Sequence, residues 1–213
     1  MSDFFDKIIW ITGASSGIGK SLAIKLSNQN AKIILSSRKN QELELVKKLC
    51  KNPNNVKIVT LDLEDYTNLQ PKVDQAIAAF GKIDILVNNG GISQRSFAKD
   101  TQIAVDKRIM DINYLGTVAL SKALLPHFIK NQLGHFVVTT SIVGKIGTPL
   151  RSSYAASKHA LHGFFDSLRA EHYKDQIAVT LVCPGFVNTN ISKCLNRQWD
   201  STTKNGYCYC KWY

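Results

Sequence analysis

The chain has 213 residues, 44% hydrophobic and 20% charged, a length and composition that fit one packed domain and exclude a disordered chain. Its formal net charge of +11 is spread over turns and helix faces without a dense basic tract. It therefore reads as a surface that draws in an anionic cofactor, and no nucleic-acid partner is expected.

The N-terminal segment Met1–Lys7 carries two acids and one base. The apolar run behind it, Ile8–Ile11, is too short for a signal core or a membrane span, so a cytoplasmic chain without a span is expected. That run belongs to the first predicted strand, Lys7–Thr12. A glycine-rich turn follows, then a helix over Ile18–Gln29 and a strand over Lys32–Ser37. Next come a helix over Gln41–Lys51, a strand over Val56–Leu61 and a helix over Leu69–Phe80. The strand Asp84–Asn88 leads into a long helix near Gln102–Asn131. The strand His135–Thr140, the helix Tyr154–Tyr173 and the strand Ala178–Val182 complete the series.

Alternating β and α segments imply an α/β fold, a doubly wound parallel sheet with helices on both faces and right-handed crossovers. The strands are β-branched and apolar almost throughout, as strands buried on both faces are. The five cysteines, at 50, 183, 194, 208 and 210, are odd in number and irregular in spacing, which excludes a disulfide framework. Cys208-x-Cys210 has no second pair and no clustered histidines, so no metal site is expected there.

Residues 12–19 read Thr-Gly-Ala-Ser-Ser-Gly-Ile-Gly, between the first strand and the first helix. Gly13, Gly17 and Gly19 suit a turn that brings backbone N–H groups to a pyrophosphate at a helix N-terminus. At the end of the second strand, where many NAD sites place an acid for the ribose hydroxyls, this chain has Ser37 and Arg38. A guanidinium there pairs with a 2′-phosphate, so NADP(H) is expected over NAD(H). Tyr154 and Lys158 lie four apart on one helix face. An ammonium beside a phenol favours the phenolate, which makes the pair a proton-transfer device.

Taken in order, Thr12–Gly19, Asp62, Asn88-Asn89-Gly90-Gly91, Asn113, Ser141, Tyr154-x-x-x-Lys158 and Pro184-Gly185 resemble the short-chain dehydrogenase/reductase family. The resemblance runs from about Lys7 to Asn190. Within Asn88–Ser96 it is similar to the subgroup around the seventh member of the animal dehydrogenase/reductase set and its bacterial relatives. The resemblance implies a Rossmann-like domain over 1–193 with strand order 3-2-1-4-5-6. It also implies NAD(P)(H)-dependent hydride transfer to or from a ketone, aldehyde or secondary alcohol, and assembly of full-length relatives as homodimers or homotetramers. Tyr154 would be the acid–base residue, and Lys158 would lower its pKa and bind the nicotinamide ribose. Ser141 would hold the substrate oxygen, and Asn113 would position a water. The cofactor would lie along Gly13, Ser15, Ser16, Gly17, Ile18 and Gly19, with Asp62 and Leu63 at the adenine and Asn88 and Gly90 at the ribose. Pro184, Gly185, Val187 and Thr189 would flank the nicotinamide. The family pattern Asn-Asn-Ala-Gly reads Asn88-Asn89-Gly90-Gly91 here, which should loosen the turn.

After Lys193 the composition changes abruptly: the last twenty residues hold three of the five cysteines and two of the three tryptophans. With free choice of synonymous codons, a neighbouring reading frame over Lys193–Tyr213 becomes a polar loop and a helix start similar to the same subgroup. A frameshift near Lys193 is therefore expected, with 194–213 an aberrant, disordered tail and the substrate lid and seventh strand missing. On that expectation the sixth strand edge is uncovered, cofactor still binds, and turnover is weak. The alternative function is that of a nucleotide-binding but catalytically impaired homologue.

Overall fold

The computed structural model describes residues 4–187. Thr189 and the expected tail, 194–213, lie outside the described residues. Six strands form one parallel sheet in the order β3-β2-β1-β4-β5-β6: β1 (Ile8–Thr12), β2 (Lys32–Ser36), β3 (Val56–Ile58), β4 (Ile85–Asn88), β5 (Gly134–Thr139) and β6 (Ile177–Val182). The helices are α1 (Gly17–Asn28), α2 (Asn40–Leu49), α3 (Gln70–Phe80), α4 (Ile103–Met110), α5 (Gly116–Asn131) and α6 (Ser152–Glu171). Strand order reverses between β1 and β4, and the crevice at that switch is where an open α/β sheet binds its ligand.

Strand alternation builds two cores. On β1, Ile8 and Trp10 face the apolar stripes of α3, α5 and α6, including Val73, Leu124, Phe128 and Phe165. Ile9 and Ile11 face the other way, with Ala23 and Leu26 of α1 and Leu43 and Val46 of α2. Trp10 is fully buried, and its indole N–H donates to Ser36 Oγ at 2.8 Å. Its one polar group is thereby satisfied in the interior.

Two elements differ from the sequence expectation. The third strand ends at Ile58 rather than Leu61, yet the chain still follows β2: Val59 N donates to Leu35 O and Leu61 N to Ser37 O. As an edge strand β3 has one neighbour, so its ladder frays without changing course. The long helix expected over 102–131 is broken into α4 and α5 by a π turn over Asp111–Leu115. Among the described residues no helix is long and apolar enough to cross a membrane.

Two helical glycines have opposite surroundings. A Cβ on Gly116 would collide with the Leu63 carbonyl, whereas one on Gly163 would meet nothing within 4 Å. Gly116→Ala should therefore lower stability by about 1–3 kcal/mol through overpacking against backbone. Gly163→Ala should raise it by about 0.5–1 kcal/mol through helix propensity. Urea midpoints of the two variants check both signs.

Candidate functional site

The carboxyl ends of β1, β4 and β5 meet at one cleft. At its first wall the chain leaves β1 through Gly13 at φ +63° and enters α1 through Gly17 at φ +54°. Both are left-handed conformations that favour glycine. A Cβ on Gly13 would sit 2.8 Å from Gly90 Cα, and one on Gly19 would sit 2.5 Å from the Gly13 carbonyl oxygen. Ser15, Ser16 and Ile18 line the same partly exposed turn. Ser16 precedes α1 without spending its side chain on a cap, and the first turn of α1 holds no acid. The leading N–H groups of the helix thus have no side-chain cap from Ser16 and no acid within the first turn, and such groups are left to a ligand or to water.

Thr12 ties this turn to the loop after β4. Its Oγ1 accepts from Asn89 N and Gly90 N, both at 3.0 Å, while Asn89 Nδ2 donates to Thr12 O at 3.2 Å. Gly90, expected to loosen the turn, packs against Leu63. A Cβ at 90 would lie 2.7 Å from Leu63 Cδ1, so Leu63 fills the space that alanine's methyl would take. Asn88, expected along the ribose, commits its side chain elsewhere. Its side chain is buried and turned from the cleft, donating from Nδ2 to Ser121 Oγ on α5 at 2.9 Å. Only its backbone is left to line a ribose.

Asp62 is partly exposed, and its Oδ1 accepts from Glu64 N at 3.0 Å. Ser37 Oγ accepts from Lys39 N, and Arg38 beside it is exposed. Pro184 O accepts from Ile142 N at 3.1 Å, which holds the segment after β6 against the end of β5. Gly185 and Val187 follow it on the exposed side.

The second wall carries the residues expected to act as acid and base. Ser141 follows β5 and is buried; its hydroxyl accepts from Val143 N at 3.2 Å and lies near enough to the Tyr154 phenol to favour its charged form. Lys158, one turn after Tyr154 on α6, places Nζ 5.7 Å from the Tyr154 ring centroid. Ser141, Tyr154 and Lys158 therefore face one cleft. Asn113 sits in the π turn, 1% exposed. Its Oδ1 accepts from Ile92 N at 2.8 Å, and its Nδ2 donates to Ile92 O at 2.8 Å and Ser157 Oγ at 3.0 Å. A Cβ on Gly91 would lie 3.0 Å from Asn113 Oδ1 and 3.8 Å from Lys158 Nζ, so the two side chains meet around one glycine.

Burial sets the electrostatics. Burial raises the Tyr154 phenol above its ordinary value, and the Ser141 hydroxyl opposes that rise. The net direction is opposite to the lowering expected from Lys158, because desolvation outweighs the hydroxyl and charge that favour phenolate. Lys158 is itself changed: burial pushes it down to about 8, and its Nζ donates to the Thr139 carbonyl oxygen at 2.8 Å.

Three supporting residues escaped the sequence reading. Gln94, 2% exposed, accepts on Oε1 from Tyr154 N at 3.1 Å and donates from Nε2 to Ser152 Oγ at 3.1 Å. It caps α6 at the backbone of Tyr154 itself. Ser93, buried beside it, accepts from the Arg151 guanidinium. The motif that could have marked them is Ser93-Gln94-Arg95, read only as a subgroup likeness. Among the described residues no cluster of three or more His, Cys, Asp or Glu could hold a metal ion.

Residues 7–200 match the family described as short chain dehydrogenase. The chain is 46% identical over 192 residues to human "Dehydrogenase/reductase SDR family member 7", an alignment covering 87% of this chain and 57% of that protein. It is 47% identical over 192 residues to "Dehydrogenase/reductase SDR family protein 7-like" of Anopheles gambiae, covering 87% and 61%. The chain thus spans about three-fifths of the length of these curated relatives. Among solved structures, a short chain dehydrogenase/reductase from Burkholderia phymatum in complex with NAD superposes with a TM-score of 0.83 at 27% identity, covering 91% of this chain and 70% of that one. A 3-ketoacyl-(acyl-carrier-protein) reductase from Brucella melitensis complexed with NADH gives 0.84 at 26% identity, covering 91% and 81%.

Keeping Lys158 in the interior has a measurable consequence. A folded pKa of about 8 against an ordinary value of 10.5 means that the unfolded chain holds the extra proton between these values. Stability from this group therefore rises with pH from about 8 to about 10.5. Below pH 8 the buried ammonium costs about 3 kcal/mol. Lys158→Met should raise the thermal midpoint at pH 7, with the advantage shrinking towards pH 10; equal gains at both pH values would contradict this origin.

Proposed function

The chain belongs to the short chain dehydrogenase family, and from that premise we propose that it moves a hydride between a nicotinamide cofactor and a carbonyl or alcohol. The observation that carries the proposal is the convergence of the Ser141 hydroxyl, the Tyr154 phenol and Lys158 beside a glycine turn that opens a helix. The turn suits a pyrophosphate: side chains are excluded at Gly13 and Gly19, and the first turn of α1 has no acid and no side-chain cap from Ser16. Gly13, Ser15, Ser16, Gly17, Ile18 and Gly19 would hold that group. Asp62 keeps one carboxylate oxygen for the adenine amino group, beside the Leu63 backbone. The Asn88 and Gly90 backbones would line the ribose. Pro184, Gly185 and Val187 would flank the nicotinamide, with Thr189 beyond them.

The bound nicotinamide supplies the hydride in reduction and accepts it in oxidation. Ser141 holds the substrate oxygen by a hydrogen bond. In reduction Tyr154 gives that oxygen its phenolic proton, and in oxidation the phenolate takes the proton from the alcohol. Lys158 binds the ribose and, when charged, favours the phenolate. Asn113, engaged with Ile92 and Ser157 through its side chain, fixes the π turn and leaves the water-holding role to that turn's backbone. Arg38 takes the 2′-phosphate, so NADP(H) is preferred to NAD(H). Assembly into a homodimer or homotetramer through α5 and α6 belongs to the same reading.

Two measurements test it. NADPH should bind about tenfold or more tightly than NADH, with the difference lost in Arg38→Ala; equal affinities in the unmodified chain would remove the NADP assignment. Cofactor depletion over a panel of ketones and aldehydes should fall by about 10²–10⁴-fold in Tyr154→Phe while NADPH affinity stays unchanged. NADPH binding without turnover of any carbonyl would select the impaired nucleotide-binding reading instead.

A further inference from the structure

Tyr154 lies between two cations. Lys158 Nζ stands 5.7 Å from its ring centroid, four residues on. Arg151 Cζ stands 5.8 Å from the same centroid, three residues back. The two cations differ in kind. The Lys158 ammonium is buried, is hydrogen-bonded to Thr139 O, and loses its proton near pH 8. Burial lowers the Arg151 guanidinium from its ordinary value, but a guanidinium starts so far above neutrality that it keeps its charge where Lys158 loses its own.

Arg151 is held in place. Its guanidinium donates to Ser93 Oγ, Ser93 is 1% exposed, and the next residue, Gln94, accepts from the Tyr154 backbone N–H. One short segment after β4 thus grips both the charge and the residue it faces. No ion pair joins Arg151 to an acid among the described residues, so its charge is not neutralised locally. The other groups around Tyr154 are few. Ser141 reaches it from the end of β5, Arg95 adds positive charge beside Arg151, and Asp106 of α4 is taken by the Ser153 hydroxyl.

We propose that Arg151 is a positioning residue for acid–base chemistry: clamped by Ser93, it supplies a permanent positive charge that favours the Tyr154 phenolate. The inference rests on the reading of Tyr154 as the proton-transferring group. Its consequence is a division of labour by pH. Below about pH 8 both cations act on the phenol; above it Lys158 is neutral and Arg151 alone keeps the base form accessible. Alcohol oxidation, which needs that base form, would then persist into alkaline solution.

The test reads the phenol directly and needs neither cofactor nor turnover. Biosynthetic incorporation of fluorotyrosine acidifies the phenols, and ¹⁹F NMR follows each tyrosine, with the Tyr154 resonance assigned by its loss in Tyr154→Phe. Arg151→Met should raise the Tyr154 titration midpoint by about 0.5–1 pH unit, and Arg151→Lys should recover more than half of that shift. Ser93→Ala, which frees the guanidinium without removing it, should give a smaller shift in the same direction and decides the matter should Arg151→Met fail to fold. An unchanged midpoint in Arg151→Met overturns the inference, as does an equal shift in Arg151→Lys, which would mark a packing effect. A Tyr154→Phe chain that keeps its turnover defeats the functional reading separately, whatever the titration shows.

Discussion

An ammonium group that is 5% exposed with one carbonyl partner is the constraint on which this end of the molecule depends. Water would stabilise that charge far better than one carbonyl does, so the surrounding chain must enforce its position. It does so by leaving room and by pinning the helix. Gly144 packs so near that a Cβ would lie 3.0 Å from Lys158 Cβ, and Gly91 leaves the space next to Nζ. Helix α6 is fixed at its start by Gln94 and along its inner face by Leu161, Phe165 and Leu168 in the core. A methionine at 158 would avoid the cost of burying a charge, so the lysine is kept at the expense of stability.

The segment that follows β4 joins the two halves of the cleft. Asn89 and Gly90 bond to Thr12 on the glycine-turn side. Ile92 bonds to Asn113 in the π turn, and Gln94 bonds to Tyr154 on the acid–base side. Six consecutive positions therefore set the distance between the cradle and the phenol. Each of these bonds joins a side chain to a backbone group, so the spacing is fixed by backbone positions rather than by pairs of mobile side chains.

Much of this was legible from local pattern. Uniformly apolar strands separated by amphipathic stretches specify a parallel sheet, and the i, i+4 spacing of Tyr154 and Lys158 places them on one face. The family resemblance added the roles of Ser141 and Asn113. What stayed hidden acts across distance or without a change of period. The π turn leaves no mark in the apolar spacing of 102–131, because a π turn shifts the register inside a helix that otherwise continues. Gln94 reaches Tyr154 across sixty residues of chain, and no local pattern encodes that pairing. Asn88 was placed on the ribose by resemblance, yet Ser121 draws its side chain inward. The direction of the Tyr154 shift was missed because spacing reveals a neighbouring charge but not the burial that opposes it.

Leu63 links positions that are distant in sequence. Its Cδ1 occupies the space of a methyl at 90, and its carbonyl abuts Gly116. Positions 63 and 90 therefore share one space, whereas 116 meets the backbone at 63 whatever side chain stands there. Alanine at 90 would meet only the far end of Leu63, which a small movement of that side chain clears at little cost. Gly116 faces backbone rather than a side chain, so no change of side chain at 63 releases it.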